Sequence, residues 1–320
     1  MRTTRIARRH RCAPRSAQQQ TPTPRIPVTE LSEYDPAAIC DDGGVKRLVF
    51  LDVDGTLLND NQELPDSARH ALTQAIAAGH RLILCTGRSR PEIYPFLWEI
   101  GFCALVGCNG AYGEVDGETI FDDHMPSEDV TEIAAWLEAA GADSLWQTAT
   151  DLHAVGKFLD LFRQSEESEP SISGNWSEFL EAIAPHLREG VPDTAAKVTF
   201  FLPRESGTTL ADARATFGER FTIVDGSLPH QRGETGELTA LGMNKSVGMA
   251  KIAAHFGTGI ADTIAVGDSA NDVEMLRAAG IGVAMGNGIP EVKAAADWVT
   301  KPIDDDGLAL AFERLGLLGE

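Results

Sequence analysis

From residue 46 onward the chain alternates short apolar runs with helix-like stretches, and this rhythm constrains the fold more than any other feature. Arg47-Leu48-Val49-Phe50-Leu51 is a short apolar run bounded by polar residues, which suits a strand buried in a parallel sheet. A helix-like stretch follows from Pro65 to Ala78 and is stopped by Gly79. Arg81 to Cys85 repeats the strand signature, Pro91 to Ile100 the helix, and Cys103 to Val106 gives a third strand. The rhythm returns late in the chain, with helix from Lys245 to Phe256, strand from Thr263 to Val266, helix from Asp272 to Ala279 and strand from Ile281 to Ala284. Strands alternating with helices imply right-handed crossovers, and so an α/β fold with a doubly wound, parallel, Rossmann-like sheet.

Between about 115 and 235 the rhythm fails. That stretch holds a helix-like Asp129 to Ala140, a polar Gln164 to Asn175, and β-branched or aromatic runs at Lys197 to Leu202 and Phe221 to Val224. It reads as an inserted α+β unit. The expected organisation is therefore a core of 45–114 and 236–320, an insertion of 115–235, and linkers near Glu114 and Glu234. Residues 1–44, rich in Arg, Gln, Thr and Pro without apolar periodicity, read as a disordered leader. Arg8-Arg9 is followed by no apolar segment, so a nonfunctional extension or a misassigned start codon is favoured over targeting.

Formal net charge is -21; residues 1–25 carry seven arginines and no acid, leaving -28 for the remainder. Such a surface repels nucleic acid and anionic membranes, so neither is expected as a partner. No apolar run approaches the length of a membrane span. Five widely spaced cysteines without a CxxC pair suit buried thiols in a reducing cytoplasm, although Cys103 and Cys108 could in principle ligate a metal.

Chemistry concentrates at the ends of the core strands. Asp52-Val53-Asp54-Gly55-Thr56 follows the first strand directly. Alternation places both carboxylates on one side, and Gly55 lets the chain turn away. Two such groups repel unless a cation intervenes, which points to magnesium, a hard ion that takes oxygen ligands. An acidic turn is the plain alternative. Thr86-Gly87-Arg88 follows the second strand, a hydroxyl beside a glycine whose bare N–H can approach an anion. Lys245 opens the late helix, where it could reach a phosphate or a charged aspartate, or simply face solvent. Gly267-Asp268-Ser269-Ala270-Asn271-Asp272 follows the late strand and leads into a helix; an N-cap turn alone would also use these residues.

In that order, DVDGT, TGR, Lys245 and GDSAND resemble the haloacid dehalogenase superfamily. Within it they are similar to the Cof-type phosphatases, subfamily IIB, with a large α+β cap between the second and third motifs. Asn109-Gly110-Ala111, Glu237-Leu238, Val283 to Gly288 and Asp304 to Gly307 also look like that family. The resemblance implies that Asp52 is the nucleophile and Asp54 the general acid and base. It implies magnesium held by Asp52, the Asp54 carbonyl and Asp268, with Asp272 orienting a water from behind. Thr86, Gly87, Lys245 and Asn271 would grip the phosphoryl oxygens, and Arg88 either joins them or forms a salt bridge within the core.

The expected function is a magnesium-dependent phosphatase acting on small phosphorylated metabolites, sugar phosphates above all, through an aspartyl phosphate. The cap would close over the site, with Trp146, His153, Lys197 and His230 as candidate lining residues, each of which suits a core or surface role at least as well. A phosphosugar mutase of the same superfamily and a nonenzymatic metabolite-binding or phosphoacceptor module are the alternatives. The sequence selects no single substrate and sets no oligomeric state.

Overall fold

A computed structural model describes residues 46–163, 176–226 and 232–319. The expected leader, the polar stretch Gln164 to Asn175 and His230 lie outside the described residues.

The core strands are β1 (Leu48–Leu51), β2 (Arg81–Cys85), β3 (Ala104–Gly107), β4 (Tyr112–Val115) and β5 (Glu118–Asp122). The cap contributes β6 (Asp143–Gln147), β7 (Leu152–Val155), β8 (Leu187–Arg188), β9 (Lys197–Pro203), β10 (Phe221–Asp225) and β11 (Gly233–Ala240). The core then resumes with β12 (Ile264–Gly267), β13 (Ile281–Ala284) and β14 (Trp298–Val299). Helices α1 (Asp66–Ala77) and α2 (Pro95–Ile100) precede the cap; α3 (Ser127–Ala139), α4 (Ser177–Ile183) and α5 (Leu210–Phe217) belong to it. The chain ends with α6 (Lys245–His255), α7 (Val273–Ala278), α8 (Pro290–Ala295) and α9 (Gly307–Arg314).

The eight-stranded core sheet has the order β14-β13-β12-β1-β2-β3-β4-β5. Its pairings are parallel from β14 to β3 and antiparallel at β4 and β5. The parallel strands are buried on both faces, and alternation sorts their side chains between two cores. Val49, Leu51, Leu82, Leu84, Ile264 and Val266 pack on one face with α1 and α9. Phe50, Ile83, Cys85 and Ala265 pack on the other with α6 and α7. The doubly wound reading of the sequence is this arrangement. The chain winds outward from β1 in one direction before the cap and in the other after it, so the switch point lies between β1 and β12.

The second sheet has six strands in the order β10-β11-β9-β6-β7-β8. One of its faces is covered by α3 and α5 around Trp146, Phe200, Leu202 and Phe217. The opposite face turns to the core. Two expectations need correction. Glu114 and Glu234, proposed as linkers, lie inside β4 and β11, because a β4–β5 hairpin extends the core sheet to Asp122 and β11 pairs with β9 and β10 as far as Ala240. Both changes of sheet therefore fall after 115 and after 235. The helix expected from Pro91 to Ile100 is divided into a single turn at Arg90–Glu92 and α2, because Pro95 forces the residue before it out of the helical region.

Candidate active site

β1 and β12 are neighbours, with Leu51 opposite Val266, so the residues that follow them leave the sheet side by side. The Asp52 N–H still donates to the Val266 carbonyl at 3.0 Å. Gly55 then turns the chain at φ 80°, and a Cβ there would lie 2.3 Å from Asp268 Oδ2. Only glycine tolerates both the left-handed backbone and that approach. The close packing brings the two acidic loops into one site. Thr56 Oγ1 donates to Asp268 Oδ1 at 3.2 Å.

Lys245 enters from below. Asn244 caps α6, accepting from the N–H groups of Ser246 and Val247, and Lys245 is the first residue of that helix. Its Nζ lies 2.6 Å from Asp52 Oδ1 and 2.6 Å from Asp272 Oδ1, with the side chain wholly buried. Burial alone would favour neutral lysine, but the two carboxylates outweigh it and hold the ammonium charged. Asp272 is further engaged through Oδ2 by the N–H groups of Asp268 and Ser269, at 3.0 and 2.9 Å.

Carboxylate oxygens of Asp52, Asp268 and Asp272 lie within 4.8 Å of one another. One lysine does not balance three such groups. Burial, then the charge of Asp272, pushes Asp52 well above the carboxylate range, and the same two causes raise Asp268 to about 7. A divalent cation would reverse that effect, and the all-oxygen donor set suits one. Because Asp272 is held by Lys245 and two backbone N–H groups, Asp52 and Asp268 are the better placed to bind it.

Asp54, on the same side as Asp52, meets Arg88. Arg88 Nε and Nη2 donate to its two oxygens at 2.9 and 2.6 Å. Burial would raise the Asp54 carboxyl, but the charge and hydrogen bonds of Arg88 prevail and hold it below its ordinary value. Of the two roles open to Arg88, the structure shows the salt bridge. Arg88 also donates to Gln62 Oε1 at 2.5 Å and to the Glu92 carbonyl at 3.0 Å. Its guanidinium lies over the rings of Tyr94 and Phe179, 5.1 and 5.2 Å from their centroids. Phe179 belongs to the cap.

The cap sheet supplies polar side chains from its strands: Gln147 ends β6 and Lys197 opens β9, whereas Thr199 and Glu237 lie inside β9 and β11. Gln147, Lys197, Thr199 and Glu237 stand on the face turned to the core, alternating with Trp146, Val198, Phe200 and Leu238 on the face covered by helices. Glu237 Oε2 accepts from Asn109 Nδ2 at 2.5 Å and pairs with Lys197 Nζ at 3.3 Å. Asn109 Oδ1 in turn accepts from Asn271 Nδ2 at 3.1 Å. Gln147 Nε2 donates to Glu92 Oε2 at 2.7 Å. Two polar bridges thus cross from cap to core, and between the domains lies a cavity of about 260 Å³ that reaches Asp52, Asp54, Gly87 and Asn271.

A model of the haloacid dehalogenase-like hydrolases matches residues 49–312. The chain belongs to that family. Among its curated relatives, YkrA of Bacillus subtilis is 29% identical over 283 residues, 85% of this chain and 98% of that protein. The 5-amino-6-(5-phospho-D-ribitylamino)uracil phosphatase YitU of the same organism is 26% identical over 287 residues, 82% of this chain and 94% of that one. Among solved structures, the subclass IIB sugar phosphatase BT4131 is 28% identical with a TM-score of 0.67, covering 85% of this chain and all of its own. As a haloacid dehalogenase-like hydrolase, the protein is a phosphoric monoester hydrolase, and phosphatases of this family generally work with a divalent metal.

Within this haloacid dehalogenase-like hydrolase the sequence-predicted residues converge. Asp52, Asp54, Gly87, Arg88 and Asn271 border one cavity, with Lys245, Asp268 and Asp272 beneath or beside them. Thr86 is buried next to them, and its Oγ1 accepts from the Arg88 N–H at 3.1 Å. Of the four candidate cap residues, Lys197 reaches the cavity. Trp146 faces the other side of its sheet, its indole on Ser144 Oγ, and the ring of His153 rests against the Gly190 carbonyl. Cys85 and Cys108 are buried, and Cys103 Sγ donates to the Leu82 carbonyl; none of the three joins the acidic cluster.

Sequence reasoning assigned no role to Asn109, Gln62, Glu92 or Gln147. Asn109 carried a signal: Asn-Gly is a left-handed turn pair, and Cys108 and Asn109 adopt φ of 51° and 54°. The others are polar residues whose partners lie far along the chain.

Proposed function

We propose that the protein is a magnesium-dependent phosphatase of small phosphorylated metabolites that passes the phosphoryl group to Asp52 and then to water. The observation that carries this reading is the Asp52–Lys245–Asp272 cluster set against Asp268, with Asp54 close by at the mouth of a small capped cavity. Magnesium, held by Asp52, Asp268 and the Asp54 carbonyl, would supply neutralisation of phosphoryl charge.

The protein residues do the rest. Lys245 fixes the Asp52 carboxylate, one oxygen of which forms the new bond to phosphorus as the ester O–P bond breaks. Gly87 N–H, Thr86 and Asn271 hold the phosphoryl oxygens. Asp54 gives its proton to the departing alkoxide, then takes one from the water that attacks phosphorus and frees Asp52. In the clasp of Arg88 Asp54 is an anion, so it can act as a base from that position, and to protonate the first leaving group it must leave the fork and take up a proton from water. The cap excludes bulk water and contacts the leaving group.

Small sugar phosphates are the substrate class that the family likeness favours, and a relative named for a phosphorylated ribitylaminouracil widens it to polyols bearing a ring. The test is phosphate release from sugar phosphates and p-nitrophenyl phosphate, with magnesium or chelator, using Asp52→Asn as the blank. Release that needs both magnesium and Asp52, with no bisphosphorylated activator, is expected. Release that survives chelator and the Asp52→Asn change would overturn the mechanism, and transfer of phosphate to another hydroxyl instead of water would make the protein a mutase.

A further inference from the structure

Four of the nine cap residues that line the cavity are aromatic. Phe158, Phe162, Trp176, Phe179 and Leu145 border the same cavity as Asp52 and Asp54. The rings form a frame of their own: Phe162 lies 5.2 Å from Trp176 and 5.2 Å from Phe179, Trp176 meets Phe179 edge-on at 5.5 Å, and Phe158 lies 5.9 Å from Phe162. They are buried in the apolar cluster that runs from the core sheet into this face of the cap, separate from the cluster on the opposite face around Trp146, Phe200 and Phe217.

The polar side chains of the cap wall have partners in one another and in the core. Gln147 bonds Glu92 and Thr199, and Glu237 bonds Asn109 and Lys197. A leaving group with a hydroxyl on each carbon would compete with these pairs and set some of its hydroxyls against rings, and either is costly. A flat apolar ring meets neither penalty and gains edge and face contacts from a frame already in place. A volume of about 260 Å³ lies just below the roughly 300–1,000 Å³ of sites for drug-sized ligands. It accommodates one ring on a short arm beside the phosphoryl group.

We propose that this aromatic frame is the leaving-group subsite, and that the preferred substrates are phosphomonoesters of alcohols borne on a single planar aromatic or heteroaromatic ring. This rests on the phosphatase reading and sets ring alcohols ahead of sugars as its leaving groups. The reaction releases the ring alcohol and inorganic phosphate, the proton for the alcohol coming from Asp54 and being restored by water.

The test compares two primary alkyl esters, benzyl phosphate and glucose 6-phosphate, so that leaving-group chemistry is closely matched and binding decides. kcat/KM for the benzyl ester should exceed that for the sugar ester by at least about tenfold, the scale of discrimination in apolar pockets. Phe162→Leu should lower that ratio, mainly by raising KM for the benzyl ester. On the unaltered protein, benzylphosphonate should inhibit at least about tenfold more tightly than methylphosphonate, which keeps the inference testable if the variant fails to fold. Phosphate release from both esters with a ratio of one or below overturns the aromatic subsite and leaves the phosphatase reading standing. A high ratio that Phe162→Leu and Trp176→Leu both leave unchanged overturns its location. No release from either ester or from p-nitrophenyl phosphate overturns both.

Discussion

The core and the cap place their chemistry by opposite rules. The parallel core strands are buried on both faces, so a polar side chain mid-strand would be stranded in one apolar layer or the other, and functional groups appear only where strands end. Asp52, Thr86 and Asp268 are all strand-end residues. The cap sheet has one face under helices and the other toward the cavity, so besides Gln147 and Lys197 at strand ends it carries Thr199 and Glu237 inside strands. Two apolar layers confine chemistry to loops; one apolar layer and one cavity let every second residue be polar.

If that division holds, changes at core strand ends should abolish chemistry and changes on the cap face should alter binding. The largest effect is expected for Asp52→Asn, which should lower kcat by about 10⁴-fold or more, as for loss of other nucleophiles, with the circular dichroism spectrum retained. A loss confined to KM would break the comparison at its strongest point. Next comes Lys245→Met, which leaves the buried Asp52 and Asp272 carboxylates without their cation. Stability measured by urea unfolding should fall by roughly 3–5 kcal/mol, and an unchanged midpoint would mean that the pair is not ionised.

On the cap side, Glu237→Gln should weaken its ties to Lys197 and Asn109, raising KM by about tenfold, on the order of 1.4 kcal/mol, with kcat less affected. A drop in kcat as deep as that of a core variant would show that the cap takes part in the chemistry itself. The smallest effect sharpens the boundary between the two regions. Arg88 lowers the folded-state pKa of Asp54, so the stability that this pair adds is present above the unfolded carboxylate value, about 3.9, and is lost as pH falls through the folded value. The stability gap between the wild type and Arg88→Met should therefore be widest near neutral pH and narrow below about pH 4. A gap independent of pH would assign Arg88 a packing role alone. With the Asp54 side chain 40% exposed, solvent screening keeps this change modest.

The same division explains what the sequence disclosed. Strand-end motifs are contiguous, so DVDGT, TGR and GDSAND could be read as units, and the apolar runs between them outlined the doubly wound sheet. Lys245 could be placed at a helix start, but its choice of Asp52 and Asp272 over solvent depends on residues 193 and 27 positions away. Arg88 was left between two roles for a similar reason, because Asp54, Gln62 and Tyr94 surround it only after folding. In the cap, Lys197 to Leu202 was visible as a strand, yet its alternation of cavity-facing and helix-facing residues was hidden by burial on both sides. The aromatic frame was the least legible: its rings come from single turns and the short helix α4, where no period marks them.

The order of the strands has a consequence for a protein made from one end. All six strands of the cap sheet lie between Asp143 and Ala240, whereas β1 acquires its neighbour β12 only with Ile264. A ribosome that has just added Asn244 has delivered every strand of the cap sheet and five of the eight strands of the core sheet, with β1 still an open edge and Asp52 still without its lysine. The nascent chain must therefore shield an unpaired central strand until β12, which begins at Ile264, has been made.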